Sequence, residues 1–393
     1  MKALQFRRQE VRFAAALVAS RFSAGEGARV GPLRLTDVAP PEIPGPGWHR
    51  VTPLLSGICG SDLATVDGTA SRYFEPLVSF PFVPGHEIVG KLGDGTRVVV
   101  EPVLGHEARG FEPPFPGAAP GDGDDYGHLV SGPLTPGIQV GFCASTGGGW
   151  STECVAHTSQ LHAIPDTLSD DAAVMIEPTA VAVHAALKAM VEPESVVAVI
   201  GAGTMGLLTV AALRYLRPDA HLIVGAKYRH QQELARKLGA DQVVEPAQLS
   251  RAVRRCVGCR MIGEDLSGGA DATIDSLGSS RSIREAIGIT RPRGRVVLMG
   301  MPANVRLELT ALWHRETELV GAYTYCSERR PSGERTTSFA LAMELASNVD
   351  LGSLVSAHYP LSRYTDAISH AANAGSRGSV KIVFDLRGEV HRP

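Results

Sequence analysis

The sequence lacks a charge imbalance, a long apolar run and a dense cysteine framework. Its 38 Lys and Arg against 41 Asp and Glu leave a net charge of −3, which offers no overall attraction to nucleic acid or an anionic membrane. The basic cluster at residues 251–260 reads as a solvated helix face. No apolar stretch reaches the ~20 residues that a membrane span requires. The nearest candidate, residues 11–22, carries Arg12 and Arg21 and no small-residue cleavage pattern follows it. An amphipathic surface helix is expected there rather than a signal peptide, and the cytoplasm is the expected compartment. Six cysteines, at 59, 143, 154, 256, 259 and 326, are too few and too scattered for a disulfide scaffold. Cys256 and Cys259 form a CxxC without a second pair, so they read as incidental thiols.

What is present divides the chain in two. At 393 residues the chain exceeds one ordinary core. Up to about residue 170 it is dense in Gly and Pro, with short strand-like pieces such as Arg97-Val98-Val99-Val100, which suggests a barrel-like β core. From about residue 172 the texture changes. Helical apolar spacing over 172–190 leads into Val196-Val197-Ala198-Val199-Ile200, a continuous apolar run typical of a buried parallel strand. Helices are expected over 206–216 and 231–238, with further strands at 221–224, 272–274 and 295–299. Such alternation builds a doubly wound parallel sheet, so the fold class is α/β. The closing Val380-Lys381-Ile382-Val383-Phe384 is expected to return to the first domain as its last strand.

Four short motifs carry the chemistry: Gly57-Ile58-Cys59-Gly60-Ser61-Asp62, then Gly85-His86-Glu87, then Glu177-Pro178, then Gly201-Ala202-Gly203-Thr204-Met205-Gly206. The first three gather a thiolate, an imidazole and carboxylates, the donor set of an open zinc site. The fourth follows an apolar strand and opens a helix, the context that makes a GxGxxG turn a dinucleotide cradle. Gly201 allows the tight turn, Gly203 lets backbone approach a pyrophosphate, and Gly206 permits close packing of helix on strand. Thr204 and Met205 stand at the helix N-terminus, where free N–H groups and the helix dipole favour phosphate.

With GICGSD, PGHE, RVVVEP, EPTAVAVHA, GAGTMG, KLGAD and GSVKIVF in this order, the chain resembles the zinc-dependent medium-chain dehydrogenases of the alcohol, sorbitol and threonine dehydrogenase kind. The resemblance spans nearly the whole length. It implies a GroES-like catalytic domain over residues 1–175 and 345–393 and a Rossmann domain over 176–344. It also implies that Cys59, His86 and Glu87 ligate a catalytic zinc, with Glu177 a direct or water-mediated fourth partner. For Glu177 a plain helix-terminal carboxylate is the alternative. Ser61 is implied in carrying the alcohol proton away. The position three residues on, where the family often has a histidine to finish that relay, is Ala64 here. Family members with a second, structural zinc hold it on four cysteines in the lobe after the VEP strand. Residues 103–139 contain no cysteine, so one zinc per chain is expected.

The second Rossmann strand usually ends near an acidic residue that binds the adenosine ribose. Here it runs into Gly225-Ala226-Lys227-Tyr228-Arg229-His230, with no carboxylate. Lys227 and Arg229 suit a 2′-phosphate and Tyr228 suits an adenine face, so NADP is favoured over NAD. The resemblance further implies Ser276, Gly300 and Lys381 as cofactor contacts, the last toward the pyrophosphate, with a structural alternative for each.

The expected reaction is reversible hydride transfer between NADP(H) and a secondary alcohol or polyol, or the matching ketone or aldehyde. The rivals are a zinc-free enone or quinone reductase on the same fold and a non-catalytic dinucleotide-binding protein. Residues 67–82, with Tyr73 and Phe74, and residues 323–330 are expected to line the substrate pocket. The resemblance implies a homodimer or homotetramer.

Overall fold

The computed structural model describes residues 1–389, so the last four residues of the expected 345–393 segment lie outside the described residues. The chain forms two compact units: Met1–Glu177 with the chain from Ala346 onward, and Pro178–Leu345.

The first unit is built on a largely antiparallel sheet. Its strands run in the spatial order Val355–Tyr359, Lys381–Asp385, Trp48–Gly57, Ile88–Lys91, Arg97–Val100 and Leu161–Ala163, and Cys154–His157 also pairs with Trp48–Gly57. The strand expected at the chain's end is thus Lys381–Asp385, with Val383 opposite Gly57. Short strands separated by Gly and Pro turns can close such a sheet around an apolar interior. Leu55, Val51, Ile88, Val98 and Val100 are all buried there. The segment expected as an amphipathic surface helix is the helix Glu10–Ser20, with Ala16 buried and Val11 and Val18 exposed.

Residues 103–139 are held together by a cation. Arg109 is fully buried, and its guanidinium donates to the carbonyls of Ser131, Thr135 and Gly137. Burial lowers its pKa. His106 and His128 stack with ring centroids 4.0 Å apart.

The second unit is a six-stranded parallel sheet in the order Gln242–Val244, His221–Gly225, Val196–Ile200, Ala270–Asp275, Thr290–Leu298 and Glu318–Gly321. Chain order reverses beside Val196–Ile200, the switch point at which open α/β sheets place ligands. The central strands are apolar on both faces because helices cover both. Helix starts follow capping chemistry: the Ser279 hydroxyl accepts from the Ser282 N–H ahead of helix Ser280–Ile289, a contact of about 1 kcal/mol. The apolar pattern at 172–190 resolves into two helices, Asp170–Val174 and Ile176–Lys188, broken at Met175.

Candidate active site

Cys59 sits directly before helix Gly60–Val66, in extended conformation, at the end of the long strand Trp48–Gly57. Asp62 in that helix accepts a hydrogen bond from the Cys59 N–H at 3.0 Å, which fixes the turn. His86 and Glu87 follow Gly85, whose φ of +92° is left-handed. A Cβ on Gly85 would lie 2.3 Å from Trp150 Cδ1, so only glycine lets the chain turn there and aim His86 inward. The two turns bring one donor atom each from Cys59, His86 and Glu87 within 4.8 Å of one another. His86 and Glu87 are buried, while Cys59 is half-buried and so leaves the cluster open on one side.

The electrostatics favour a cation. Burial opposes a charged His86, yet Asp62 and Cys59 outweigh it and raise its pKa well above the ordinary value. The same opposition acts on Lys381, whose pKa is raised by Glu87, Cys59 and Glu177. His86 Nδ1 stands 3.5 Å from Asp62 Oδ1 without a formed hydrogen bond. Glu87 Oε1 is likewise buried without a partner, while Oε2 faces the Lys381 ammonium. Buried polar atoms left in this state cost about 1–3 kcal/mol each. Thiolate, imidazole and carboxylate converging on one point, with Glu87 Oε1 left unpartnered among them, fit a zinc ion. Asp62 at the imidazole is the kind of carboxylate that orients a ligating histidine. Its part was missed in the sequence, although its place in the same turn as Cys59 was a usable signal.

The other expected residues fall into place unevenly. Ser61 lies half-buried in the first turn of helix Gly60–Val66. Glu177 is buried in the first turn of helix Ile176–Lys188. It acts on Lys381 electrostatically but stands outside the three-atom cluster. Lys381, expected at the pyrophosphate, is instead 2% exposed, ion-paired with Glu87, and donates to the Ile58 carbonyl at 3.2 Å. That correction has a plain cause: strand Lys381–Asp385 lies beside the strand ending at Gly57, which points the ammonium into the ligand cluster.

The glycine turn is formed in the second unit. Gly201 has φ +94°, and a Cβ on Gly206 would lie 2.0 Å from the Gly201 carbonyl oxygen, so both are required by packing. Gly203 differs: a Cβ there would meet nothing within 4 Å. It precedes helix Thr204–Leu216, whose N-terminus has no side-chain cap. Thr204 and Met205 are half-buried at that helix start. Open space over uncapped N–H groups is what a dinucleotide pyrophosphate occupies. Ser276 spends its hydroxyl on the Ile200 carbonyl at 2.7 Å. Gly300 packs on the turn at Leu277 and Gly278, where a Cβ would lie 2.4 Å from the Gly278 nitrogen. Both shape the cradle's floor. Lys227 and Arg229 are exposed after strand His221–Gly225, with the Lys227 ammonium 5.3 Å from the Tyr228 ring centre and Arg229 on Glu233.

Residues 45–166 match the family described as the alcohol dehydrogenase GroES-like domain, and residues 204–338 match that described as zinc-binding dehydrogenase. The chain belongs to the zinc-binding medium-chain dehydrogenases. It is therefore an oxidoreductase with a GroES-like and a Rossmann-type domain. Among curated relatives of this dehydrogenase, sorbitol dehydrogenase of Arabidopsis thaliana is 27% identical, covering 91% of this chain and 92% of that protein. The human sorbitol dehydrogenase is 27% identical over 86% of this chain and 89% of its own. L-idonate 5-dehydrogenase of Vitis vinifera is 25% identical over 84% and 86%. The fold matches that of 2R,3R-butanediol dehydrogenase from Bacillus subtilis, with TM-score 0.70 and 21% identity over 98% of this chain and 99% of that chain. Among the described residues of the dehydrogenase, no helix is long and apolar enough to cross a membrane.

Proposed function

We propose that this dehydrogenase transfers hydride between NADP(H) and a secondary alcohol of polyol type, or the matching ketone, with one catalytic zinc. The observation that carries the reading is the convergence of Cys59, His86 and Glu87 in one buried, cation-favouring cluster. These three side chains would hold the metal. Zinc, when bound, supplies Lewis acidity that lowers the pKa of a substrate hydroxyl or polarises a carbonyl.

The chain's own residues divide the remaining work. Asp62 and Lys381 keep the ligands in place and balance their charge. Ser61, two residues after Cys59, would receive the substrate hydroxyl proton. Because Ala64 offers no acceptor, that proton would leave through water or another group. The uncapped turn at Gly203 would bind the pyrophosphate, and Lys227 and Arg229 would pair with a 2′-phosphate. The polyol class rests on the sorbitol and L-idonate relatives, whose names describe secondary hydroxyls on polar chains.

Two variants test the reading. Cys59→Ala should abolish turnover while NADP affinity, measured by calorimetry, stays within about threefold. In the double variant Lys227→Ala with Arg229→Ala, kcat/KM with NADP should fall about a hundredfold or more, the loss of two charge-assisted contacts of ~1.5–3 kcal/mol each. The same parameter with NAD should hardly change. Turnover that survives Cys59→Ala overturns the metal assignment, and equal losses with both cofactors overturn the NADP preference.

A further inference from the structure

A second set of metal-ligand side chains lies wholly within the parallel-sheet unit. Donor atoms of His184, Cys326 and Glu328 stand within 4.8 Å of one another. His184 projects from helix Ile176–Lys188 and is 5% exposed. Cys326 and Glu328 come from the start of a small hairpin, in which Ser327–Arg329 pairs antiparallel with Arg335–Thr337. The hairpin brings a thiol and a carboxylate, two residues apart, onto an imidazole far away in sequence.

The arrangement is not that of a nucleophile and its base. In a relay the imidazole uses opposite nitrogens for the thiol and the carboxylate. Here His184 Nδ1 faces both, at 2.5 Å from Glu328 Oε1 and 3.6 Å from Cys326 Sγ. The third edge, Cys326 Sγ to Glu328 Oε1, is 3.7 Å. Zinc bonds of about 2.3 Å to sulfur and about 2.0–2.1 Å to nitrogen or oxygen give tetrahedral S–N and S–O edges of roughly 3.5–3.6 Å. Two of the three edges already match. The third is a hydrogen bond that must open by under about 1 Å to admit an ion with those bond lengths. Ser338 donates to Glu328 Oε1 at 2.8 Å and accepts from the Cys326 N–H at 3.2 Å, so the carboxylate and the Cys326 backbone are held from behind.

We propose that His184, Cys326 and Glu328 form a second site for a divalent transition metal, zinc by its mixed S, N and O donors. Thiolate and carboxylate balance the two positive charges of the ion. The half-buried Cys326 leaves a fourth position for water. Bound there, the ion ties the hairpin to helix Ile176–Lys188.

The test is metal content of the full chain, purified without chelator from zinc-supplemented cells, with cobalt substitution as the spectroscopic check. Wild-type protein should carry two equivalents, Cys59→Ala one, and Cys326→Ser one. Glu328→Gln, which keeps size and fold, should also carry fewer than two. Cobalt-loaded Cys59→Ala should retain a thiolate-to-cobalt band that Cys326→Ser added to it removes. One equivalent in wild type that Cys59→Ala removes overturns this site and leaves the catalytic one standing. One equivalent that only Cys326→Ser removes overturns the catalytic assignment instead.

Discussion

A Cβ on Gly57 would lie 1.7 Å from Oε2 of Glu87 and 2.8 Å from Cε of Lys381. The strand Trp48–Gly57 therefore ends in glycine because the Glu87–Lys381 ion pair occupies the volume a side chain would fill. Gly57→Ala should displace that pair, and the zinc equivalent that Cys59→Ala removes should fall below half occupancy with at least a tenfold loss of turnover. Elemental analysis and steady-state kinetics check it. Full zinc occupancy would show that the pair tolerates the shift.

Lys381 neutralises the Glu87 carboxylate in a site of buried charge. Removing one partner of a buried pair costs about 3–5 kcal/mol. Lys381→Met should thus lower the melting temperature sharply in chelator-treated protein and much less in zinc-loaded protein, where the ion takes over the neutralising charge. Equal losses in the two states would separate Lys381 from the metal's electrostatics.

Gly203 is a glycine that no neighbour among the described residues requires, since a Cβ there meets none of their atoms within 4 Å. Its φ of −72° is open to alanine. Gly203→Ala should leave stability unchanged or raise it by about 0.4–1 kcal/mol, through the lower entropy of the unfolded chain. NADP affinity should fall at least tenfold. Thermal melts and titration calorimetry decide between this and a purely structural turn.

His128 carries a pH dependence whose sign follows from its surroundings. Burial, and then the neighbouring His106, push its pKa down to about 4. The unfolded chain takes up the proton near its ordinary value of ~6.5, and the folded chain only near 4. Its contribution is therefore full above pH 6.5 and is lost as pH falls from 6.5 to about 4. Screening at this half-exposed ring limits the loss to about 1–2 kcal/mol. The melting temperature of the wild type minus that of His128→Gln should shrink across that interval, and a constant difference would exclude it.

Much of this was legible in the chain itself. Val196–Ile200 reads as a buried parallel strand because five apolar residues in a row can face helices on both sides. Cys59, His86 and the glycine turn are recognisable because their chemistry needs fixed residue types next to glycines. The resemblance to the family puts Lys381 at a phosphate. In the fold it pairs with Glu87, because a strand partner more than 320 residues away in sequence decides where an ammonium points.

Local sequence, then, determined what depends on neighbours: strand and helix periods, the tight turns before Cys59 and His86, and the absence of an acid after the second parallel strand. Tertiary structure alone decided what depends on convergence. The convergence of Cys59 with His86 and Glu87, the placement of Arg109 among three carbonyls, and the meeting of His184 with Cys326 and Glu328 are contacts between distant segments. The physical reason is that desolvation and donor geometry are properties of a closed volume, and no stretch of chain encloses one before it folds.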